Sequence, residues 1–228
     1  MEIRMYQNIV VLTGAGISAA SGLQTFRGKG GLWEGQRVEN IATPQAFLQD
    51  PEFVQKFYNM RRRQLIEEAQ PNAAHHFLAR FEQKFTARGG TFLLVTQNVD
   101  DLHERAGSER LVHMHGELLK ARNSRTGEVK TCRQDLAGME WRPHIVWFGE
   151  TPLEMDRIYK ALAKSDLFVA IGTSGHVYPA AGFVEFAGET GSHTVEINLE
   201  ASKVSSQFDE VVSGPAITAV EEYFSTLF

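Results

Sequence analysis

A doubly wound parallel α/β sheet is the fold this chain of 228 residues predicts, and three observations predict it. Ile9-Val10-Val11-Leu12, Phe92-Leu93-Leu94-Val95 and Leu167-Phe168-Val169-Ala170-Ile171 are near-continuous apolar runs, as in strands covered on both faces, and Thr194-Val195-Glu196-Ile197 reads as a further core strand. Helical patterns fall between them at about 71–86, 153–164 and 179–188, with a last one near 217–227, and such alternation favours a doubly wound sheet. A glycine-rich turn closes the first strand.

That turn runs from Thr13 to Arg27. Gly14 and Gly16 allow a tight bend and close backbone approach, and a helix starting near Ile17 would aim its N–H groups at an anion such as phosphate. Gly14-x-Gly16-x-x-Ala19 satisfies the dinucleotide fingerprint, but the acidic strand end expected about 20 residues later is missing. Glu39 lies instead beside Thr43-Pro44, in a segment that reads as loop. The turn therefore suggests a dinucleotide but not an ordinary hydride-transfer dehydrogenase. Two stretches interrupt the alternation. Residues 43–69 read as a helical insertion opened by Thr43-Pro44 as N-cap and N1. Residues 117–146 are polar, with a turn signal at Ser124-Arg125-Thr126-Gly127, and read as a small hairpin module. The expected organisation is a single domain, with its core at about 1–42, 70–116 and 147–228.

A hydrophobic content of 43% supports one full core. The single cysteine, Cys132, excludes an intrachain disulfide and any all-cysteine zinc site, and points to a reducing compartment. Met1 to Gln7 lacks the apolar core of a signal peptide, and no apolar run approaches the roughly 18 residues that span a bilayer, so a soluble cytoplasmic protein is expected. A net charge of −5 argues against non-specific nucleic-acid binding; Arg61-Arg62-Arg63 is the clearest local basic run.

Ligands of open α/β sheets bind beyond the carboxyl ends of the strands. There the sequence places Gln97-Asn98-Val99-Asp100-Asp101, Gly172-Thr173-Ser174-Gly175 and Asn198-Leu199-Glu200, besides the first turn. Asn, Asp and Gly favour turns in any case, so no single loop decides the matter, whereas agreement among four does. Leu111-Val112-His113-Met114-His115-Gly116-Glu117 carries the candidate base. On a strand His113 and His115 would share a face, so periodicity cannot choose between them. His75, His76, His103, His144, His176 and His193 read as structural, and none has metal-ligand spacing with a cysteine.

Gly14-Ala15-Gly16-Ile17-Ser18 with Ser21-Gly22 and Phe26-Arg27, then Thr96-Gln97-Asn98-Val99-Asp100, His113-Met114-His115-Gly116, Val146-Trp147-Phe148-Gly149-Glu150, Gly172-Thr173-Ser174 and Asn198-Leu199-Glu200 together resemble the sirtuins, NAD-dependent protein-lysine deacylases. The motifs stand in the family's order over about residues 8–216. The resemblance implies a Rossmann-like domain with NAD consumed as co-substrate, releasing nicotinamide, O-acyl-ADP-ribose and free lysine. It implies that His115 is the base, with Asn98 and Asp100 at the nicotinamide. It implies cofactor contacts from Gly14, Ala15, Gly16, Ser18, Phe26, Arg27, Gln97, Gly172, Thr173, Ser174, Asn198, Leu199, Glu200 and Ala216. The substrate peptide would pair as an added strand between Gly175-His176-Val177 and Phe148-Gly149-Glu150.

Tyr58 and Arg61 stand three apart, hence on one face of a helix, where a hydroxyl and a guanidinium can grip a carboxylate. On spacing alone a solvated arginine face is the commoner arrangement. The pair nevertheless resembles that of the sirtuin subgroup that removes succinyl and malonyl groups, so acylated (succinyl-, malonyl- and acetyl-) lysine proteins are the expected partners. Most sirtuins also hold a structural zinc on four cysteines in the small module, whereas residues 117–146 contain only Cys132, so no zinc is expected and the module must rest on its own contacts, with Trp141 and Trp147 as candidates. Competing readings are a mono-ADP-ribosyltransferase, a deacetylase without preference for acidic acyl groups, a dehydrogenase and a catalytically silent NAD-binding module.

Overall fold

The computed structural model describes residues 6–23, 32–33 and 35–227. Gln24 and the expected cofactor contacts Phe26 and Arg27 lie outside the described residues. Along the chain the strands are β1 (Asn8–Thr13), β2 (Leu32–Trp33), β3 (Gln36–Arg37), β4 (Thr91–Thr96), β5 (Leu111–His113), β6 (Gly116–Asn123), β7 (Val129–Thr131), β8 (Trp141–Ile145), β9 (Leu167–Ile171), β10 (His193–Asn198) and β11 (Glu210–Ser213). The helices are α1 (Ala15–Ser18), α2 (Pro44–Gln49), α3 (Pro51–Glu67), α4 (Ala73–Ala87), α5 (Leu102–Ala106), α6 (Met155–Leu162), α7 (Phe183–Glu189) and α8 (Ala216–Phe224).

Six strands form one parallel sheet in the order β11-β10-β9-β1-β4-β5. Its residues alternate between two apolar layers. Ile9 and Val11 join Leu78, Phe81 and Phe224 of α4 and α8, while Val10 and Leu12 join Ile158, Leu162 and Phe183 of α6 and α7. Covering both faces is what makes the strands read as unbroken apolar runs. From β1 the chain proceeds to one edge through β4 and β5, then returns to β9 and proceeds to the other through β10 and β11. The sheet therefore has its switch point between β1 and β9, where their carboxyl ends part and open a crevice.

Residues 43–69 hold the two helices α2 and α3. Thr43 Oγ1 accepts from the Ala46 N–H at 3.1 Å and Asp50 Oδ1 from the Phe53 N–H at 2.9 Å, each cap being followed by proline at the first helical position. Val54, Phe57, Tyr58 and Leu65 of α3 pack on Leu118, Leu119, Ile145 and Trp147 in a third apolar layer. The basic run does not form a patch. Arg62 is fully buried and donates to Leu118 O at 3.1 Å, Arg63 pairs with Asp135 at the surface, and Arg61 is half-buried, because one helix aims successive residues in different directions.

The small module is a three-stranded antiparallel sheet, β7-β6-β8, rather than a hairpin, since Trp141–Ile145 pairs with the second edge of β6. The turn at Ser124–Gly127 is present: Asn123 Oδ1 accepts from the N–H groups of Arg125 and Thr126, both at 2.9 Å. Contacts with α3 hold the module. Asn59 exchanges two hydrogen bonds with the Leu136 backbone, at 2.8 and 2.9 Å, and Gln55 Nε2 donates to Trp141 O at 2.7 Å. Trp141 itself lies under the Lys130 ammonium, 3.5 Å from the ring centre. The edge strand β11 and the short helix α5 carried too little apolar periodicity to be read from sequence. Among the described residues no helix is long and apolar enough to cross a membrane.

Candidate active site

A cavity of about 790 Å³ opens at the carboxyl ends of β1, β4, β9 and β10 and is walled by α3 and the segment after β8. All the strand-end loops singled out from sequence line it: Gly14, Ala15, Gly16 and Ser18; Gln97, Asn98 and Asp100; His115; Gly172, Thr173 and Ser174; Asn198, Leu199 and Glu200; and Ala216. Tyr58, Arg61, Phe148, Gly149, Glu150, His176 and Val177 line the same space.

The floor is built by backbone. Gly14 N–H donates to Ile171 O at 3.0 Å and Gly16 N–H to Gly172 O at 2.9 Å, so the turns after β1 and β9 interlock. A Cβ on Gly16 would lie 2.6 Å from Gly172 Cα, and Gly172 holds φ at +61°. With both N–H groups committed, Gly14 and Gly16 serve close approach. Helix α1 makes one turn, passes into a 3-10 turn at Ala19–Ser21 and stops at Gly22, whose φ is 84°.

Asn98 and Asp100 are fixed around Ser18. Asn98 Nδ2 donates to Gly14 O and to Ser18 Oγ, both at 3.1 Å, and Ser18 Oγ donates to Asp100 Oδ2 at 3.0 Å. The hydroxyl of Ser18 thus orients its two neighbours. Burial pushes the Asp100 carboxyl up to about 6, against the pull of the Leu102 N–H and the Ser18 hydroxyl. Behind them lies a layer of two buried histidines. His75 Nε2 stands 3.5 Å from Ser18 Oγ, its ring is 4.8 Å from that of His103, and His103 Nε2 meets Thr13 Oγ1 at 3.1 Å. Burial lowers the His75 pKa to about 4 and holds His103 well below its ordinary value, so both are neutral at pH 7. The available sequence signal was Asn72-x-x-His75, a capping box that puts a histidine on the inner face of α4.

The two candidate bases separate cleanly. Strand β5 ends at His113, and Gly116, with φ 80°, turns the chain into the module, so the histidines do not share a strand face. His113 contacts Asn98 O through Nδ1 at 3.3 Å and Glu104 through Nε2 at 2.7 Å, and the Glu104 carboxylate raises its pKa against the opposing effect of burial. His115 Nδ1 lies 3.1 Å from Gln97 O, which can only accept. The proton therefore sits on Nδ1 and leaves Nε2 as the basic nitrogen, while burial lowers the His115 pKa and keeps the ring neutral.

The wall is built by side chains. Trp147 Nε1 donates to Tyr58 Oη at 2.9 Å, and burial raises the Tyr58 pKa, so this phenol remains protonated. Glu150 accepts from Arg142 and from the Trp147 N–H, at 2.7 and 2.9 Å, and these partners hold its carboxyl below the usual range. Phe148–Glu150 forms a turn: Phe148 N–H donates to Ala42 O, Glu150 N–H to Trp147 O, and Gly149 has φ 89°. At the far end Asn198 Nδ2 donates to Thr173 O at 2.7 Å, and Leu199 is 69% exposed.

A cleft at the switch point of a parallel sheet, floored by interlocked glycine turns and walled by an inserted helical segment and small sheet, defines a nucleotide-binding α/β protein. More particularly, the chain belongs to the Sir2 family, whose pattern matches residues 14–179. It is 56% identical over 226 residues to an NAD-dependent protein deacylase of Yersinia pseudotuberculosis, an alignment covering 94% of this chain and 80% of the relative. Its fold superposes with a TM-score of 0.90 and 36% identity on a mutant Sir2 homologue in complex with ADP ribose, covering 99% of this chain and 93% of that one. A Sir2 homologue–NAD complex gives a TM-score of 0.88 at 37% identity, with coverages of 97% and 90%.

Proposed function

We propose that this protein is an NAD-dependent protein-lysine deacylase acting on succinyl- and malonyl-lysine as well as acetyl-lysine. The observation that carries the reading is the basic Nε2 of a neutral, buried His115 in one cavity with Asn98 and Asp100 on the floor and Tyr58 and Arg61 on the wall. The floor suits a dinucleotide: the bare Cα atoms of Gly14, Gly16 and Gly172 bring main chain close, and one cavity is lined both by Asp100, for the nicotinamide end, and by Asn198, where the adenosine half would lie. NAD, when bound, supplies a sugar activated by its bond to nicotinamide.

The chain's own groups would then divide the work. Asp100, ionised above pH 6, accepts from a carboxamide, and Asn98 presents the rest of the pocket. His115 takes a proton from a ribose hydroxyl so that the acyl group can pass to it. Arg61 offers a fork of donors to an acyl carboxylate, with Tyr58 as a protonated hydroxyl beside it. On the peptide side, Gly149 and the Gly175–Val177 segment carry the main-chain contacts.

Acetyl-, succinyl- and malonyl-lysine peptides incubated with NAD and read by mass spectrometry test the proposal. Free lysine, nicotinamide and acyl-ADP-ribose are expected from all three. No nicotinamide release with any peptide would overturn the deacylase reading; release with acetyl-lysine alone would overturn the acidic-acyl part.

A further inference from the structure

Glu196 is a carboxylate in the middle of a core strand, fully buried between the apolar neighbours Val195 and Ile197, which are themselves fully buried. A buried carboxylate is costly unless hydrogen bonds satisfy it. Its Oε1 accepts from the Ser202 N–H at 3.2 Å and from Asn198 Nδ2 at 3.4 Å, whereas Oε2 and the buried Ser202 Oγ have no partner among the described residues. The donors lie at the end of β10 and in the segment after it, which wall one end of the cavity. The same segment is tied across the cleft, because Asn198 Nδ2 also donates to Thr173 O at 2.7 Å and the Lys203 N–H to Ser174 O at 3.2 Å. The loops after β9 and β10 thus meet over one buried acceptor.

We infer that Glu196 is a positioning residue for NAD: from beneath the cavity it sets Asn198 and the 198–203 segment in the conformation that receives the adenosine half. It does not line the cavity itself, so its action passes through Asn198 and Ser202. The inference rests on the placement of the adenosine half at Asn198 in the proposed function. A carboxylate suits this place better than an apolar residue, because it accepts from a backbone N–H and a side-chain amide at once.

The test is steady-state kinetics on the full chain with an acetyl-lysine peptide and NAD varied, supported by calorimetric NAD binding and melting curves. Glu196→Leu should raise KM for NAD about tenfold while kcat stays within about twofold, the loss expected for one or two hydrogen bonds. Glu196→Gln, which keeps an acceptor at the same reach, should restore most of the affinity. Should Glu196→Leu fail to fold, Glu196→Asp withdraws the acceptor by one methylene and should raise KM between those two values. Asn198→Ala separates the two readings. If it raises KM for NAD while the Glu196 variants bind NAD normally, the positioning role is wrong and the adenosine placement stands. If Asn198→Ala leaves KM unchanged, the placement falls and the inference with it. Losses of kcat and melting temperature in Glu196→Gln equal to those in Glu196→Leu would make Glu196 structural only.

Discussion

The floor and the wall of the cavity are made of different materials. On the floor, the turns after β1 and β9 lock through main-chain hydrogen bonds and bare Cα atoms, and Ser18 holds Asn98 and Asp100 in one arrangement. On the wall, side chains of the inserted helix hold the small module and the segment after it, Tyr58 meeting the Trp147 side chain and Asn59 the Leu136 backbone, while Arg142 of β8 pairs with Glu150 beyond it. A floor of backbone accepts few substitutions and serves every substrate alike, whereas a wall of side chains can change its selectivity one residue at a time. Floor variants should therefore damage all acyl substrates equally, and wall variants should discriminate among them.

The largest effect is expected from His115→Ala. Removing the base should cut turnover about 10²–10⁴-fold with acetyl-, succinyl- and malonyl-lysine peptides alike, while calorimetric NAD binding is retained. Losses that differ strongly among the three acyl groups would mean that His115 reads the acyl chain, and the comparison would break at its most important residue.

Asp100→Asn sharpens the floor through pH. The folded protein holds the Asp100 carboxyl at about 6 instead of 3.8, so the native state binds this proton more tightly than the unfolded chain. Wild-type stability contributed by this group is therefore fully present below pH 3.8 and is lost as pH rises through 6. A shift of two units corresponds to about 3 kcal/mol, so the variant should gain up to that much on the wild type between pH 4 and 7 in denaturant titrations. It should meanwhile lose activity on every acyl peptide. A stability difference independent of pH would mean that Asp100 is not held at the raised value.

On the wall, Arg61→Met should lower kcat/KM on succinyl- and malonyl-lysine about 10- to 100-fold, the range for losing hydrogen bonds to a charged group, and change deacetylation less than about twofold. Equal losses on all three would assign Arg61 to folding of α3.

The same contrast explains what could be read in advance. The floor was legible because its requirements are local: glycines at 14, 16 and 172 and polar groups directly after apolar strands follow from a few adjacent residues. The wall was legible only where helical spacing put Tyr58 and Arg61 on one face. Nothing local pairs Tyr58 with Trp147, a hydrogen bond across 89 positions, or Asn59 with Leu136 across 77. Nor could spacing tell that Arg62 would be buried between its neighbours, since that depends on a module packing on α3. The commitment of Gly14 and Gly16 N–H groups to the β9 turn was hidden for the same reason: it is a contact between distant strand ends.

The smallest effect, and the most direct probe of how the wall is held, is Tyr58→Phe. The ring stays, but the Trp147 indole N–H loses its acceptor at a contact where both residues are almost wholly buried. An unsatisfied buried donor costs about 1–3 kcal/mol, and the lower part of that range is expected here because only the oxygen is removed. Trp147→Phe and the double variant complete a cycle in which the coupling isolates the hydrogen bond from the volume lost with the indole. A coupling near zero would mean that α3 and the module are joined by apolar packing alone. A clear coupling, with NAD affinity unchanged in all three variants, would show that the wall can be loosened without disturbing the floor.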